Sequence, residues 1–227
     1  MSGYRHEYKY LLDAPKEALL RLRVSAVMKP DPHVRADGSY LIRSVYFDDL
    51  RDTCLNENIG GTDPRSKYRI RYYNDSPDRV RLEKKSKVRG MCLKESCAVS
   101  PEECRLLLRG EVPLPGGEAD GVKKRLFTEL RLKGLRPVNI VTYERIPFVY
   151  AAGNVRVTFD RNLTASGDIR RFLEGDYLRR PVFPPGQSLL EVKWDELLPP
   201  HLRQSLQAEG LQWTAFSKYS MCRMALG

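Results

Sequence analysis

Residues 66–73 read SKYRIRYY, and residues 80–87 read VRLEKKSK. Side chains of a β-strand point alternately to opposite faces. In the first stretch, Lys67, Arg69 and Arg71 therefore share one face, while aromatic and aliphatic residues share the other. The sequence NDSPD between the stretches is typical of a turn, so the two stretches are predicted to form an antiparallel pair. Neighbouring cationic rows repel each other, and the pair therefore predicts an anionic partner.

The composition agrees with such a partner. The chain has 227 residues, 41% of them hydrophobic, and a formal net charge of +10. This length suits a single domain spanning residues 1–227. The positive charge indicates a nucleic acid, a phosphorylated metabolite, polyphosphate or an anionic membrane as partner, without choosing among them. The N-terminus contains no apolar stretch, so we expect no signal peptide. No run in the sequence approaches the ~20 apolar residues of a transmembrane helix, so we expect no membrane segment.

Cysteine and histidine usage argues against two other kinds of site. The five cysteines are odd in number, and no two have the spacing of a zinc knuckle. We therefore expect free thiols in a reducing cytoplasm. The three histidines are widely separated in the sequence, which argues against a histidine-based metal site.

Alternating patterns recur along the chain and indicate about eight strands interrupted by helices. Residues 100–103, SPEE, are typical of a helix start, with a capping Ser, an early Pro and a Glu. Residues 138–149 are predicted to form a strand in which Pro147 marks a sheet edge or a bulge. The last residues are predicted to be helical after Ser217.

Charge is concentrated on one face of strand after strand. One interpretation is an antiparallel sheet with a solvated face, which is common. The dominance of Arg, Lys and Glu favours another: an α+β fold in which about eight strands close into an antiparallel barrel, with charged faces inward and helices packed outside. Such a barrel has room for one small ligand. A cationic interior requires an anion, because burying unpaired charge is costly.

Glutamates among these cations suggest a metal. Glu7, Glu83 and Glu191 lie on the predicted cationic faces, where a carboxylate repels phosphate unless a divalent cation lies between them. Mg²⁺ and Mn²⁺ are bound in this way, through a few carboxylates and substrate oxygens. An ion pair with a neighbouring Lys or Arg is the alternative for each of these glutamates. It is an equally good explanation for Glu83 and a less favoured one for Glu191.

Several motifs together resemble the VTC domain, the catalytic domain of polyphosphate polymerases in the CYTH-like triphosphate tunnel metalloenzyme superfamily. They follow the family's order along nearly the whole chain: YRHEYKY (4–10), VYFD (45–48), KYRIRYY (67–73), LEKK (82–85), YER (143–145), RVTFD (156–160), LEVK (190–193) and SKY (217–219). Each motif is weak alone, but the ordered set is specific.

The resemblance implies a tunnel that binds a nucleoside triphosphate and a polyphosphate chain. It implies catalytic roles for Arg69, Arg71, Lys85 and Arg145; phosphate binding by Lys9, Lys94, Tyr143, Arg156, Ser217 and Lys218; and metal binding by Glu191 and Glu7. The alternating pattern adds Lys67 and Lys193 to the phosphate-binding residues. We expect no nucleic-acid partner, because no known nucleic-acid motif is present.

The expected activity is transfer of the γ-phosphate of ATP, or of another nucleoside triphosphate, to inorganic polyphosphate, with Mn²⁺ or Mg²⁺ as cofactor. One position departs from the family: Ala215 stands where polymerases carry a Lys. A triphosphatase or polyphosphate hydrolase, or a domain that only binds polyphosphate, therefore stays open. We also expect a free-standing soluble domain without phosphate-sensing or membrane segments.

Overall fold

The computed structural model describes residues 5–114 and 120–227. Tyr4 and part of the loop predicted near residue 115 lie outside these ranges. The strands are β1 (His6–Leu12), β2 (Lys29–Pro30), β3 (Tyr40–Asp48), β4 (Arg65–Tyr73), β5 (Ser76–Val88), β6 (Met91–Ala98), β7 (Arg136–Tyr150), β8 (Val155–Ser166), β9 (Arg180–Pro181) and β10 (Ser188–Trp194). The helices are α1 (Ala14–Val27), α2 (Thr53–Ile59), α3 (Pro101–Leu108), α4 (Gly121–Leu132), α5 (Pro200–Ser205) and α6 (Lys218–Leu226).

The long strands form one antiparallel sheet in the order β1-β10-β8-β7-β3-β4-β5-β6, while the two-residue strands β2 and β9 pair with β7 and β8. The prediction of about eight strands is confirmed for this path. The sheet curls strongly into a half-barrel. Its edge strands approach each other through an isolated backbone bridge between Arg5 and Cys92, with N···O distances of 3.1 and 3.3 Å. Full closure of the barrel stays a prediction.

The basic hairpin is formed by β4 and β5, as the sequence predicted. Its turn is shorter than expected, because Tyr73 already pairs with Ser76 and leaves only Asn74 and Asp75 between the strands. Asn74 adopts a positive φ of 55°, a conformation that Asn tolerates better than most residues. β5 therefore begins earlier than the sequence indicated and runs for 13 residues.

Two hydrophobic clusters cover the convex side of the sheet. Tyr68, Ile70 and Tyr72 of β4 are buried in one cluster together with side chains of α3 and α4. The other cluster joins β8 and β10 to α1 and α5. The predicted start of α3 is confirmed, because Ser100 and Glu103 form a reciprocal capping box. The apolar faces thus point outward under helices, which leaves the charged faces on the concave side.

One expectation was wrong in detail. Pro147 lies in β7, an interior strand, and no bulge occurs at this residue. It falls just beyond Arg145, the last residue of β7 paired with β3, and so avoids a ladder position that needs an N–H. The predicted helix after Ser217 is confirmed as α6, and its Tyr219 stacks on Tyr46 of the concave face, with ring centroids 5.0 Å apart.

Within the described ranges, every helix is too short or too polar to cross a membrane.

Candidate active site

The curl of the sheet gathers its charged faces around one central cavity of about 230 Å³. It is lined by 13 of the 14 residues that the sequence proposed for the site: Glu7, Lys9, Lys67, Arg69, Arg71, Lys85, Lys94, Tyr143, Arg145, Arg156, Glu191, Lys193 and Lys218. The remaining one, Ser217, lines an adjoining cavity. The structure therefore brings the proposed residues together, while their roles stay proposals.

The central cavity carries a large positive charge. Among its lining residues in the described ranges, eleven are Lys or Arg and two are Glu, a formal excess of nine positive charges. Such an excess in a concave, partly desolvated site attracts anions strongly, because low-dielectric walls focus the field.

Glu7 neutralises cations on two strands. Its carboxylate lies 2.8 Å from Lys9 Nζ and 2.5 Å from Lys85 Nζ. Burial by itself raises the pKa of Glu7, but the charges of Lys9 and Lys85 outweigh this effect and hold the pKa well below its usual value. The same contact, although opposed by burial, raises the pKa of Lys85. Both groups are therefore charged at neutral pH.

Glu191 lies deeper, between three cations. It is in contact with Lys193 and lies 3.7 Å from Lys218 Nζ and 3.8 Å from an Arg145 nitrogen. Burial raises its pKa, yet these cations lower it well below the usual range. Glu191 is therefore an ionised carboxylate in a site that otherwise favours anionic ligands.

Asp160 is a site residue that the sequence analysis missed. It is fully buried, accepts hydrogen bonds of 2.6 and 2.7 Å from Arg145, and lies 2.6 Å from Lys218 Nζ. Despite its burial, the charges of Arg145 and Lys218 lower the pKa of Asp160. Alternation with Arg156 already placed Asp160 on the charged face; what was lacking was the register that pairs it with Arg145.

Glu83 pairs with two cations, which supports the ion-pair explanation that the sequence left open. Its carboxylate lies 2.7 Å from Arg69 and 3.3 Å from Lys94 Nζ. Arg69 also donates a hydrogen bond of 2.8 Å to the Tyr46 hydroxyl, another site residue that the sequence did not reveal. Burial raises the pKa of Tyr46, but Arg69 and Arg71 lower it below its ordinary value.

Two cations of the cavity have no carboxylate within 4 Å among the described residues. Arg71 donates hydrogen bonds to Ser44, at 2.9 Å, and to Tyr143, at 3.1 Å. Lys67 donates one to Ser217, at 3.2 Å. Burial and the nearby charges of Lys9 and Lys85 lower the pKa of Lys67 well below its usual value. These two side chains gain most from an anionic ligand.

The carboxylates suit a divalent cation that also binds substrate. In the described part of the chain, no three acidic, His or Cys side chains are grouped as a complete metal site. Glu191 and Glu7 supply the hard oxygen ligands that Mg²⁺ and Mn²⁺ prefer. Thr158, paired with Glu191 across β8 and β10, has a buried hydroxyl without a hydrogen-bond partner. The donor set therefore fits a cation whose other ligands are phosphate oxygens or water.

A curled antiparallel sheet with a strongly cationic concave face defines the class of triphosphate tunnel proteins. Within this class, the family model of the VTC domain matches residues 4–226, and the chain belongs to that family. A search of curated proteins finds no match.

Solved structures show the same fold at low sequence identity. One neighbour is a candidate adenylate cyclase from Bacillus halodurans, with 16% identity, a TM-score of 0.51, and coverage of 89% of this chain and 87% of that one. Another is a candidate adenylyl cyclase from Hippeastrum that is described as having a dominant triphosphatase activity. It has 15% identity, a TM-score of 0.53, and coverage of 97% of this chain and 95% of its own.

Proposed function

We propose that this protein is a metal-dependent phosphotransferase that moves the γ-phosphate of ATP to the end of an inorganic polyphosphate chain. The observation that carries the proposal is the excess of positive charge in a VTC-domain cavity: nine charges among its described lining residues, and still five after the four carboxylates that pair with these cations from outside the lining (Asp31, Glu83, Asp160 and Asp195) are counted. A triphosphate and a polyphosphate end are both multiply anionic. A cationic cavity attracts both, whereas a neutral or acidic site would not hold them. The whole chain, residues 1–227, acts as one catalytic domain.

Phosphoryl transfer needs positioning and charge neutralisation more than it needs covalent chemistry from the protein. Arg69 and Arg71 of β4 and Arg145 of β7 present planar guanidinium groups that suit bidentate binding of phosphate oxygens. Glu83 and Asp160 hold Arg69 and Arg145 in fixed orientations. Such fixed donors stabilise charge on the transferred group without rearrangement during the reaction.

A divalent cation bound by Glu191 and Glu7 would neutralise charge on the phosphate oxygens. The acceptor needs no general base, because the terminal oxygen of polyphosphate is already anionic. That oxygen forms the new bond to the γ-phosphorus as the bond to the β–γ bridging oxygen breaks, and ADP leaves. Among the described lining residues of the central cavity there is no histidine, which agrees with a reaction that needs no such base.

Hydrolysis of triphosphate is the second candidate. It is favoured by the triphosphatase activity described for the Hippeastrum neighbour, whose fold is similar. Ala215 supports it too, because this residue lines the cavity next to the central one and offers no amino group to a growing chain. Water would then replace polyphosphate as the acceptor, with the same cations around the triphosphate.

One assay separates these functions. The protein is incubated with ATP and Mn²⁺, and the products are analysed by gel electrophoresis for polymer and by a colour reaction for free phosphate. We expect long polymer, and we expect Lys85→Ala and Glu191→Ala each to abolish it, while Arg79→Ala, an exposed change outside the central cavity, leaves it intact. Free phosphate without polymer identifies a hydrolase, and binding without turnover identifies a polyphosphate-binding domain.

A further inference from the structure

We propose that the cavity has a directional exit: polyphosphate chains too long for the central cavity leave it along β4 and β5 through a basic mouth formed by Arg65, Lys67 and Lys87. This inference rests on polyphosphate as the ligand class of the proposed function. It assigns binding roles to Arg65 and Lys87, which the sequence analysis did not include in the site, and it fixes the end at which the product emerges.

The central cavity continues into a second cavity at each end of β4. One of these is the basic mouth. It shares Glu7, Lys9, Lys67, Lys85 and Cys92 with the central cavity, and Arg65 and Lys87 are the cations that it adds. The other, which we call the tyrosine mouth, shares Tyr40, Tyr73 and Arg156 with the central cavity. Arg65 begins β4 and Tyr73 ends it, so the two mouths lie at opposite ends of one strand.

The two mouths differ sharply in charge. Among their described lining residues, the basic mouth has five Lys or Arg and one Glu, an excess of four positive charges. The tyrosine mouth has two Asp against two Arg, with no excess. One of these aspartates, Asp31, already binds Arg156 at 2.8 Å. A polyanion that extends beyond the central cavity is therefore attracted at the basic mouth and gains nothing at the other.

Three of the five cations of the basic mouth have no acidic partner in the part of the chain that the structure describes, whereas Glu7 binds the other two, Lys9 and Lys85. Within the described residues, no carboxylate lies within 4 Å of Arg65, Lys67 or Lys87, although carboxylates hold most cations of the central cavity. Arg65 donates a hydrogen bond of 2.6 Å to the carbonyl of Thr62, which orients the side chain without neutralising it. An arriving phosphate therefore displaces water here and does not have to break an ion pair.

The spacing of these cations matches a linear ligand. Arg65 pairs with Lys87 across the two strands, and Lys67 pairs with Lys85. Successive inward positions on one strand are about 6.6 Å apart, so Arg65, Lys67 and the arginines of the central cavity form a continuous row along β4. An extended chain of phosphates follows this row from the central cavity to the surface.

Binding of two ligands of different length tests the exit. Inorganic tripolyphosphate fills the central cavity only, whereas size-selected long-chain polyphosphate also reaches the basic mouth. For the Arg65→Ala/Lys87→Ala variant, we expect calorimetry to show that long-chain polyphosphate binds about tenfold more weakly, because two partly exposed charge contacts are lost. Tripolyphosphate binding should be unchanged. Arg79→Ala removes one charge at the tyrosine mouth and serves as the matched control, with no change expected for either ligand.

A charge reversal, Lys87→Glu, is expected to weaken long-chain binding further and, in the polymerisation assay, to shorten the product. The proposal is overturned if the double variant binds long chains as tightly as the unmodified protein does, or if Arg79→Ala weakens them equally. Failure of the proposed function looks different: the unmodified protein makes no polymer from ATP, yet still loses long-chain affinity when the basic mouth is changed.

Discussion

Asp160→Asn tests whether the buried carboxylate holds two cations of the cavity in place. Asn keeps the shape of Asp and one acceptor oxygen but removes the negative charge between Arg145 and Lys218. These two side chains are only 9% exposed, and the next carboxylate, Glu191, is more than 3.5 Å from each. The variant therefore leaves two buried cations with insufficient compensation.

Breaking a buried ion pair by removing one partner costs about 3–5 kcal/mol. The retained oxygen and the remaining Glu191 place this change at the lower end, about 3 kcal/mol. In a chain of this length each kcal/mol lowers the melting temperature by about 2–4 °C, so we expect a loss of about 6–12 °C in thermal unfolding. The exposed carboxylate Asp78 offers a matched control, because Asp78→Asn removes the same charge outside the central cavity.

The melting temperatures of both proteins are also measured with tripolyphosphate bound. The ligand brings negative charge to Arg145 and Lys218, so it is expected to stabilise the Asp160→Asn variant more than the unmodified protein and to narrow the difference in melting temperature. A loss below about 1 kcal/mol, or a difference that tripolyphosphate leaves untouched, would refute the argument that Asp160 acts through these two cations.

Three further predictions concern other parts of the molecule. Acid should destabilise the protein below about pH 4, because burial raises the pKa of Glu83 but Arg69 and other cations lower it below the unfolded value of about 4.3. The stabilisation by ionised Glu83 is therefore present above that pH and is lost as the pH falls. In urea unfolding between about pH 5 and 3, the free energy of unfolding of Glu83→Gln should fall less steeply than that of the unmodified protein. Phe127→Ala, at a buried position of α4, should cost about 3–5 kcal/mol in urea unfolding, whereas Leu132→Ala, at an exposed position of the same helix, should cost little. A thiol reagent should modify Cys92 first in the native protein, because the other four free cysteines are buried. Tripolyphosphate should slow this reaction, because Cys92 lines the central cavity. A modification rate that the ligand does not change would contradict this placement of Cys92.

Alternation along the strands predicted which face of each strand carries the cavity residues, whereas the resemblance to the VTC domain added residues such as Lys94, Ser217 and Lys218. The hairpin of β4 and β5 was predicted from the cations at 67, 69 and 71 and the turn after Tyr73, and every second residue does face inward. This succeeded because a two-residue period fixes the face of a side chain without knowledge of its neighbours. For strand residues, membership of the cavity is therefore a local property, whereas Lys218 reaches the cavity from helix α6.

Pairing inside the cavity was not predictable in this way. The contact of Glu83 with Arg69 depends on the register between β4 and β5, which the short turn at Asn74 and Asp75 sets, and the role of Asp160 depends on the register between β7 and β8. Both are properties of the pairing between strands, which single-strand patterns do not contain. The prediction for Pro147 was wrong for a related reason: this residue occupies the interior strand β7 at a position where its pairing with β3 has already ended.

The backbone bridge between Arg5 and Cys92 determines where the cavity wall opens most easily. Neighbouring long strands of the sheet share ladders of at least five residue pairs, whereas these two edge strands meet in the described ranges through a single backbone pair. The free energy of local opening is therefore lowest along this seam, and the amide protons of Arg5 and Cys92 should exchange with solvent sooner than those of interior strands. Opening there would part the walls that carry Lys9 and Lys94, leaving the opposite side of the half-barrel, with Arg71 and Arg145, rigid.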